Sequence, residues 1–180
     1  MSGACAVTVA LLTPSAVVEY RRVRLRALAE HPDAFRSDAA EEAAKPLGWW
    51  EERLVPRAVS GAAFFGAWTA PRRLVGTAGL LFETRRKVRH TATIVGMYVM
   101  PEHAGSGIGA CLLDACVELA RADPSLEMLY LTVTSTNAGA IRLYERTGFV
   151  AYGLEPRSMR IGERALDKLM MALRLRPASG

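Results

Sequence analysis

The chain has 180 residues, 51% of them apolar, and 23 Lys and Arg against 18 Asp and Glu give a formal net charge of +5. This length fits one domain over residues 1–180 with a sizeable core, and the apolar share excludes a disordered chain. No apolar run reaches the roughly 18 residues needed to cross a membrane, and the apolar stretch Ala4–Leu12 lacks the basic flank of a signal peptide, so a cytoplasmic protein is expected.

Cys5–Leu12 reads as a first strand. Thr13 then caps a helix with Pro14 at its first position, and Val17, Tyr20, Val23, Leu25 and Leu28 give that helix an apolar side to about Glu30. A second helical stretch covers roughly 39–54 and offers Trp49, Trp50 and Leu54 to the core; Pro46 interrupts it or marks its true start. Ala62–Thr69 and Arg73–Glu83 are strands joined by a turn at Ala70-Pro71-Arg72. The basic run Arg85-Arg86-Lys87-Val88-Arg89-His90 has no interleaved aromatic residue and reads as a solvated hairpin loop rather than a nucleic-acid groove. His90–Met100 is a strand rich in β-branched residues. After a glycine-rich loop, Ile108, Leu112, Ala115, Cys116 and Leu119 recur at helical spacing as far as Asp123-Pro124. Glu127–Thr134 reads as a strand buried on both faces. Asn137 opens a short helix that Gly148 closes at the C′ position. Phe149–Leu154 and Lys168–Leu175 are the last strands.

The order is β-α-α-β-β-β-α-β-α-β-β. Its β-α-β-α-β middle implies parallel pairing, and the hairpins elsewhere imply antiparallel pairing. The expected fold is α/β, a mixed twisted sheet with helices on both faces. Cys5, Cys111 and Cys116 are odd in number and form no Cys-x-x-Cys pair, so buried free thiols are expected. His31, His90 and His103 show no ligand spacing, and no metal is expected.

The segment Val99-Met100-Pro101-Glu102-His103-Ala104-Gly105-Ser106-Gly107-Ile108-Gly109-Ala110 joins a strand end to a helix start. Amides at a helix N-terminus point outward with partial positive charge, and glycines let an anion approach them. The third glycine comes one residue too early for a dinucleotide fingerprint, and no Gly-Lys-Ser/Thr ending makes it a P-loop. A second segment, Asn137-Ala138-Gly139-Ala140-Ile141-Arg142-Leu143-Tyr144-Glu145-Arg146-Thr147-Gly148-Phe149, carries a polar group and a phenol two helical turns apart on one face. A capping asparagine and a core tyrosine are the favoured explanation of that segment when it stands alone.

Together the two segments resemble the GNAT superfamily of N-acetyltransferases. The first is similar to its pyrophosphate loop, Val-x-Pro-x-x-(Gln/Arg)-Gly-x-Gly-(Ile/Val)-(Gly/Ala), and the second to its Asn-x-x-Ala-x-x-(Leu/Phe)-Tyr-x-x-x-Gly-Phe block. The resemblance implies transfer of an acetyl group from acetyl-CoA to a primary amine of a small molecule or peptide, by direct attack through a tetrahedral intermediate. It implies that the backbone of Ala104, Gly105, Ser106, Gly107, Ile108, Gly109 and Ala110 binds the coenzyme A pyrophosphate. Met97, Tyr98 and Val99 would pair with the pantetheine arm and hold the acetyl carbonyl. Asn137 would bond the cofactor, and Tyr144 would sit near the sulfur and protonate it. A homodimer is common among resembling proteins. Ala104 departs from the family's Gln or Arg; it removes one phosphate contact and leaves the amides, with His103 next door. An acyl-CoA-binding module without turnover is the alternative reading.

Several GNAT families place a glutamate midway along the strand before the loop, but Thr91–Val95 holds no carboxylate. Glu83 is the first substitute as general base and His90 the second, since an imidazole titrates near neutral pH. A water chain without a dedicated base is an equal alternative to either. The acceptor amine is not legible.

Overall fold

β1 (Thr8–Leu11) leads through a 3-10 turn at Pro14–Ala16 into α1 (Val17–Glu30). This computed structural model describes residues 7–70 and 72–176. Cys5 at the expected start of the first strand, and Pro71 of the expected turn, lie outside them. Thr13 makes no side-chain cap bond; its hydroxyl meets that of Ser15 at 2.8 Å, and the 3-10 turn starts the helix in place of the expected cap. The stretch expected as one helix is two, α2 (Ala39–Ala43) and α3 (Leu47–Glu52). Pro46 separates them because it has no N–H to continue a helix, and it becomes the N-cap of α3. One further turn, α4 (Arg57–Ser60), follows Pro56 and was not expected.

The sheet has seven strands in the order β1-β2-β3-β4-β5-β7-β6. They are β2 (Ala62–Thr69), β3 (Arg73–Phe82), β4 (Thr91–Val99), β5 (Met128–Thr134), β6 (Val150–Ile161) and β7 (Arg164–Arg174). Among the described strands β4 and β5 pair in parallel and the other neighbours pair antiparallel. This corrects the expected run of parallel pairs. β6 does not lie beside β5, because β7 folds back along β6 and inserts between them. β6 and β7 also form a longer hairpin than the sequence suggests. Gly153 and Pro156 resemble strand breaks, but register shifts between Ala151 and Gly153 and between Glu155 and Met159 absorb them.

α1 packs on β3 from one side, and α5 (Ile108–Ala122) packs on β2, β3 and β4 from the other. β2 and β3 are therefore buried almost throughout. α5 sends Ile108, Leu112, Leu113, Cys116, Val117 and Ala120 into the core. β5 is not buried on both faces as expected. Thr132 is exposed and Tyr130 meets the exposed Tyr152 edge-on with ring centroids 5.9 Å apart, because both long helices sit over the other half of the sheet. Cys116 is a free buried thiol pushed up to about 12 by burial. Cys111 is disulfide-bonded, against the expectation of free thiols, and Cys5 lies outside the described residues. No helix among the described residues is long and apolar enough to cross a membrane.

Candidate active site

β4 and β5 pair over Thr91–Thr93 and Met128–Tyr130 alone. Beyond Thr93 they part, β4 running on to Val99 and β5 to Thr134. β4 is bulged at that point. Gly79 pairs with Val95 and Thr77 with Tyr98, which leaves one extra residue on β4. Gly96 occupies the bulge at φ 63°, a left-handed backbone that glycine adopts at no steric cost. The Thr77 hydroxyl donates to the Gly96 carbonyl at 3.0 Å and fixes the bend. The result is an open wedge between two strands, walled by main chain.

The glycine loop stands at the mouth of this wedge. Met100 donates its N–H to the Val75 carbonyl at 2.8 Å, a 3-10 turn covers Pro101–His103, and Ser106 Oγ donates to the His103 carbonyl at 2.6 Å. Gly107 is the N-cap of α5 at φ 83°, with open space where a Cβ would stand. The first-turn amides of α5 have no carbonyl a turn earlier to bond, so they face outward at the positive end of the helix.

α6 (Ala138–Arg146) forms the other wall. Asn137 Oδ1 accepts the Ala140 N–H at 3.1 Å, which caps the helix. At the far end Gly148 donates to the Glu145 carbonyl and Phe149 to the Tyr144 carbonyl, at 2.9 and 3.0 Å. This is a Schellman motif, and its usual apolar contact is Tyr144 against Phe149 with ring centroids 6.0 Å apart. The Tyr-x-x-x-Gly-Phe spacing thus ends the helix and orients the phenol at once.

A cleft of about 450 Å³ runs from the glycine loop past Val99, Tyr98 and Met97 to His31 and Asp33, in the loop between α1 and α2. A cavity of about 110 Å³ inside the wedge adjoins it and shares Ala34, Phe35, Met97, Asn137 and Ala140. Tyr144 lines this inner cavity, 6% exposed; burial, with the Cys116 thiol adding, pushes its phenol up to about 12. Tyr98 has a different task. Its phenol donates to Glu30 at 2.7 Å and ties the end of α1 to β4; burial, then Glu30, hold it well above the ordinary range. Arg26 joins that tie, 2.6 Å from Glu30 and 2.8 Å from Glu102 at the start of the loop. A larger cavity, about 680 Å³, lies beside β1 against Leu11, Trp68 and Arg72 and holds none of the motif residues.

The cleft brings together Met97, Tyr98, Val99, Asn137 and the loop positions Ala104, Gly105, Gly107, Ile108 and Gly109. Ser106 and Ala110 belong to the same loop and helix start but line neither cavity. Glu83 and His90 are not brought in. The Glu83 N–H bonds the Thr91 carbonyl and its carboxylate pairs with Arg85, while the His90 carbonyl accepts from Glu127. Both stand at the start of β4, six residues or about 20 Å from Met97 at strand rise. The sequence reading missed His31, Asp33, Ala34, Phe35, Gly96 and Thr134. A lone glycine inside a strand was the available signal for the bulge at Gly96; the loop before α2 carried none. Among the described residues no three His, Cys, Asp or Glu side chains gather as a metal site.

A mixed sheet split between two parallel strands, with an amide-lined loop at its mouth, leaves free main chain and outward amides on one cleft. The family model described as Acetyltransferase (GNAT) family matches residues 24–149, and the chain belongs to that family of N-acetyltransferases. It is similar to the L-methionine sulfoximine/L-methionine sulfone acetyltransferase of Pseudomonas aeruginosa, 33% identical over 119 residues that cover 66% of this chain and 60% of that protein. The match thus spans less than two thirds of that relative. The L-amino acid N-acyltransferase MnaT of Escherichia coli is 28% identical over 152 residues, 79% of each chain. Among solved structures, the GNAT-family acetyltransferase from Streptococcus pneumoniae superposes with a TM-score of 0.84 at 24% identity, over 93% of this chain and 98% of that one. The YncA protein of Salmonella typhimurium, solved with its cofactor acetyl-CoA, gives 0.78 at 22% identity, over 97% and 96%. At these identities the structural likeness establishes the fold.

Proposed function

We propose that this chain transfers the acetyl group of acetyl-CoA to the amine of an amino acid or a closely similar small molecule, within one domain. One observation carries the reading: the cleft lined by the glycine loop and the inner cavity lined by Tyr144 share Ala34, Phe35, Met97, Asn137 and Ala140 as common walls. The residues present fit coenzyme A. The loop offers outward amides and, at Gly107, no side chain in front of them, which suits a pyrophosphate. Beyond Thr93 the β4 main chain has no partner on its β5 side, which suits the amide groups of an extended arm. Ala104 leaves the phosphate contacts to the amides, with His103 on the same cleft.

Acetyl-CoA supplies the activated thioester; this chain's residues orient it and handle charge. Main-chain N–H groups of β4 near Val99 stabilise negative charge on the thioester oxygen during attack. Tyr144, a phenol and therefore protonated at neutral pH, donates its proton to the departing sulfur and regains one from water. The amine enters past the loop between α1 and α2 and releases its proton to water. We assign Glu83 and His90 no part in that step, because both stand at the wrong end of β4.

The amino-acid acceptor is supported by the two relatives named for amino-acid substrates. The test is a panel of amines, led by L-methionine sulfone and other free amino acids, with released thiol as the signal. The reading predicts thiol release that depends on both acetyl-CoA and the amino acid. Binding of acetyl-CoA without release by any amine would leave the non-catalytic module, which Ala104 favours, in its place.

A further inference from the structure

Lys168 on β7 is 1% exposed, yet among the described residues its ammonium forms no salt bridge. Glu155, its register partner on β6, and Asp33 act on it only from beyond ion-pair distance, so the buried charge is costly, and a methionine would fill the same volume without that cost. Burial, then Arg36, hold the ammonium below the ordinary lysine range, with Asp33 and Glu155 opposing. What the group does in this place is donate to the Ala34 carbonyl and to Thr134 Oγ1, each at 2.8 Å. Thr134 Oγ1 in turn donates to the Asp33 carbonyl. Two consecutive carbonyls of the loop between α1 and α2 are thereby held to β5 and β7. The same loop is clasped from its other side. Arg24 lies 4.9 Å above the Phe35 ring, donates to Ser37 at 3.1 Å, and pairs with Glu42 at 2.9 Å, both partners of that pair being 8% exposed. Ala34 and Phe35, between these two anchors, line both the cofactor cleft and the inner cavity.

We propose that Lys168 is a positioning residue for the acceptor end of the site: its ammonium fixes the main chain at Asp33–Ala34, which sets Phe35 as the wall where the acceptor meets the inner cavity. The proposal rests on the acetyl-transfer reading above. It separates the two substrates, because the clasped residues Ala34 and Phe35 line the inner cavity, which none of the glycine-loop residues lines. Lys168 touches neither cavity itself and acts through the loop.

Lys168→Met removes the donors and keeps the volume; Lys168→Gln keeps one N–H donor without charge and serves if the first variant does not fold. Each is compared with the parent by melting temperature, by steady-state kinetics with acetyl-CoA and L-methionine sulfone, and by amide hydrogen exchange. The expected result for Lys168→Met is a kcat/KM for the acceptor lower by about ten- to a hundredfold, the cost of a wall displaced by about an ångström. The KM for acetyl-CoA stays unchanged, and exchange quickens in residues 31–37 alone. Exchange in that segment identical to the parent overturns the proposal. So does a fall in melting temperature that weakens both substrates together, the mark of a merely structural lysine. If the parent does not turn over L-methionine sulfone, the acceptor reading fails, and exchange at 31–37 still decides the clamp.

Discussion

At the end proposed to take the phosphates the cleft draws on one continuous segment, Val99 to Gly109, while at the end proposed for the acceptor it is held by contacts between segments far apart in sequence. Lys168 to Ala34, Thr134 to Asp33 and Arg36 to Glu155 span 134, 101 and 119 residues. The first end works through backbone geometry, which depends on a few glycines and a helix start. The second works through side chains whose partners are set by the sheet order. A family can keep the first fixed and vary the second, so the donor is readable where the acceptor is not.

The largest expected effect breaks the phosphate end. Gly107→Glu puts a side chain on a residue at φ 83° and a negative charge where the phosphates would lie. Coenzyme A binding should vanish in calorimetric titration up to millimolar ligand, with the melting curve still cooperative. A variant that binds like the parent means the loop is not the phosphate site.

Tyr144→Phe sharpens the contrast between binding and chemistry. The ring and its contact with Phe149 survive, so the Schellman end of α6 should hold. Loss of the proton donor should lower kcat by about 10²–10⁴-fold, with coenzyme A affinity little changed. An unchanged kcat in a folded variant removes Tyr144 from the chemistry.

Asp123 supplies a control outside the cleft. It accepts from the Ser125 hydroxyl and amide and pairs with Arg57, contacts that hold its carboxyl at about 2. A folded-state value below the unfolded one, about 3.9, gives stability that is present above the unfolded value and lost as pH falls through the folded one. Asp123→Asn should therefore lower the melting temperature at pH 7, and the gap from the parent should close between about pH 4 and about pH 2. Both KM values should stay as in the parent. A gap that persists at the acid end contradicts the ion-pair account.

The smallest effect is expected at Glu83 and His90. Glu83→Gln and His90→Ala should leave kcat/KM and its pH profile as in the parent. Loss of the acid-side limb of either profile, where activity rises as a base loses its proton, would return that residue to the role of general base.

Much of the fold was legible, because helix and strand periods and turn residues are local. The glycine loop, the Asn137 cap and the Gly148 terminus were readable since each is fixed by the conformation of a few consecutive residues. What was not legible depends on pairing. Nothing in β6 and β7 states that β7 enters between β5 and β6, so the run of parallel strands was overextended. Nothing near Lys168 announces Ala34. Thr13 and Pro46 mislead for a related reason: each is a helix signal whose outcome, a 3-10 turn or a break, is decided by what packs around it. The carboxylate sought in β4 was replaced by residues at the nearest sequence positions, yet strand rise carries those to the far end of the sheet.

The central claim is that the donor lies along this one cleft, and a crystal structure with acetyl-CoA tests it most directly. The account predicts the pyrophosphate against the amides of residues 104–110, the arm beside β4 at 97–99, and the sulfur next to the Tyr144 hydroxyl. Acetyl-CoA bound elsewhere, above all in the larger cavity beside β1, or a sulfur out of reach of Tyr144, would contradict it.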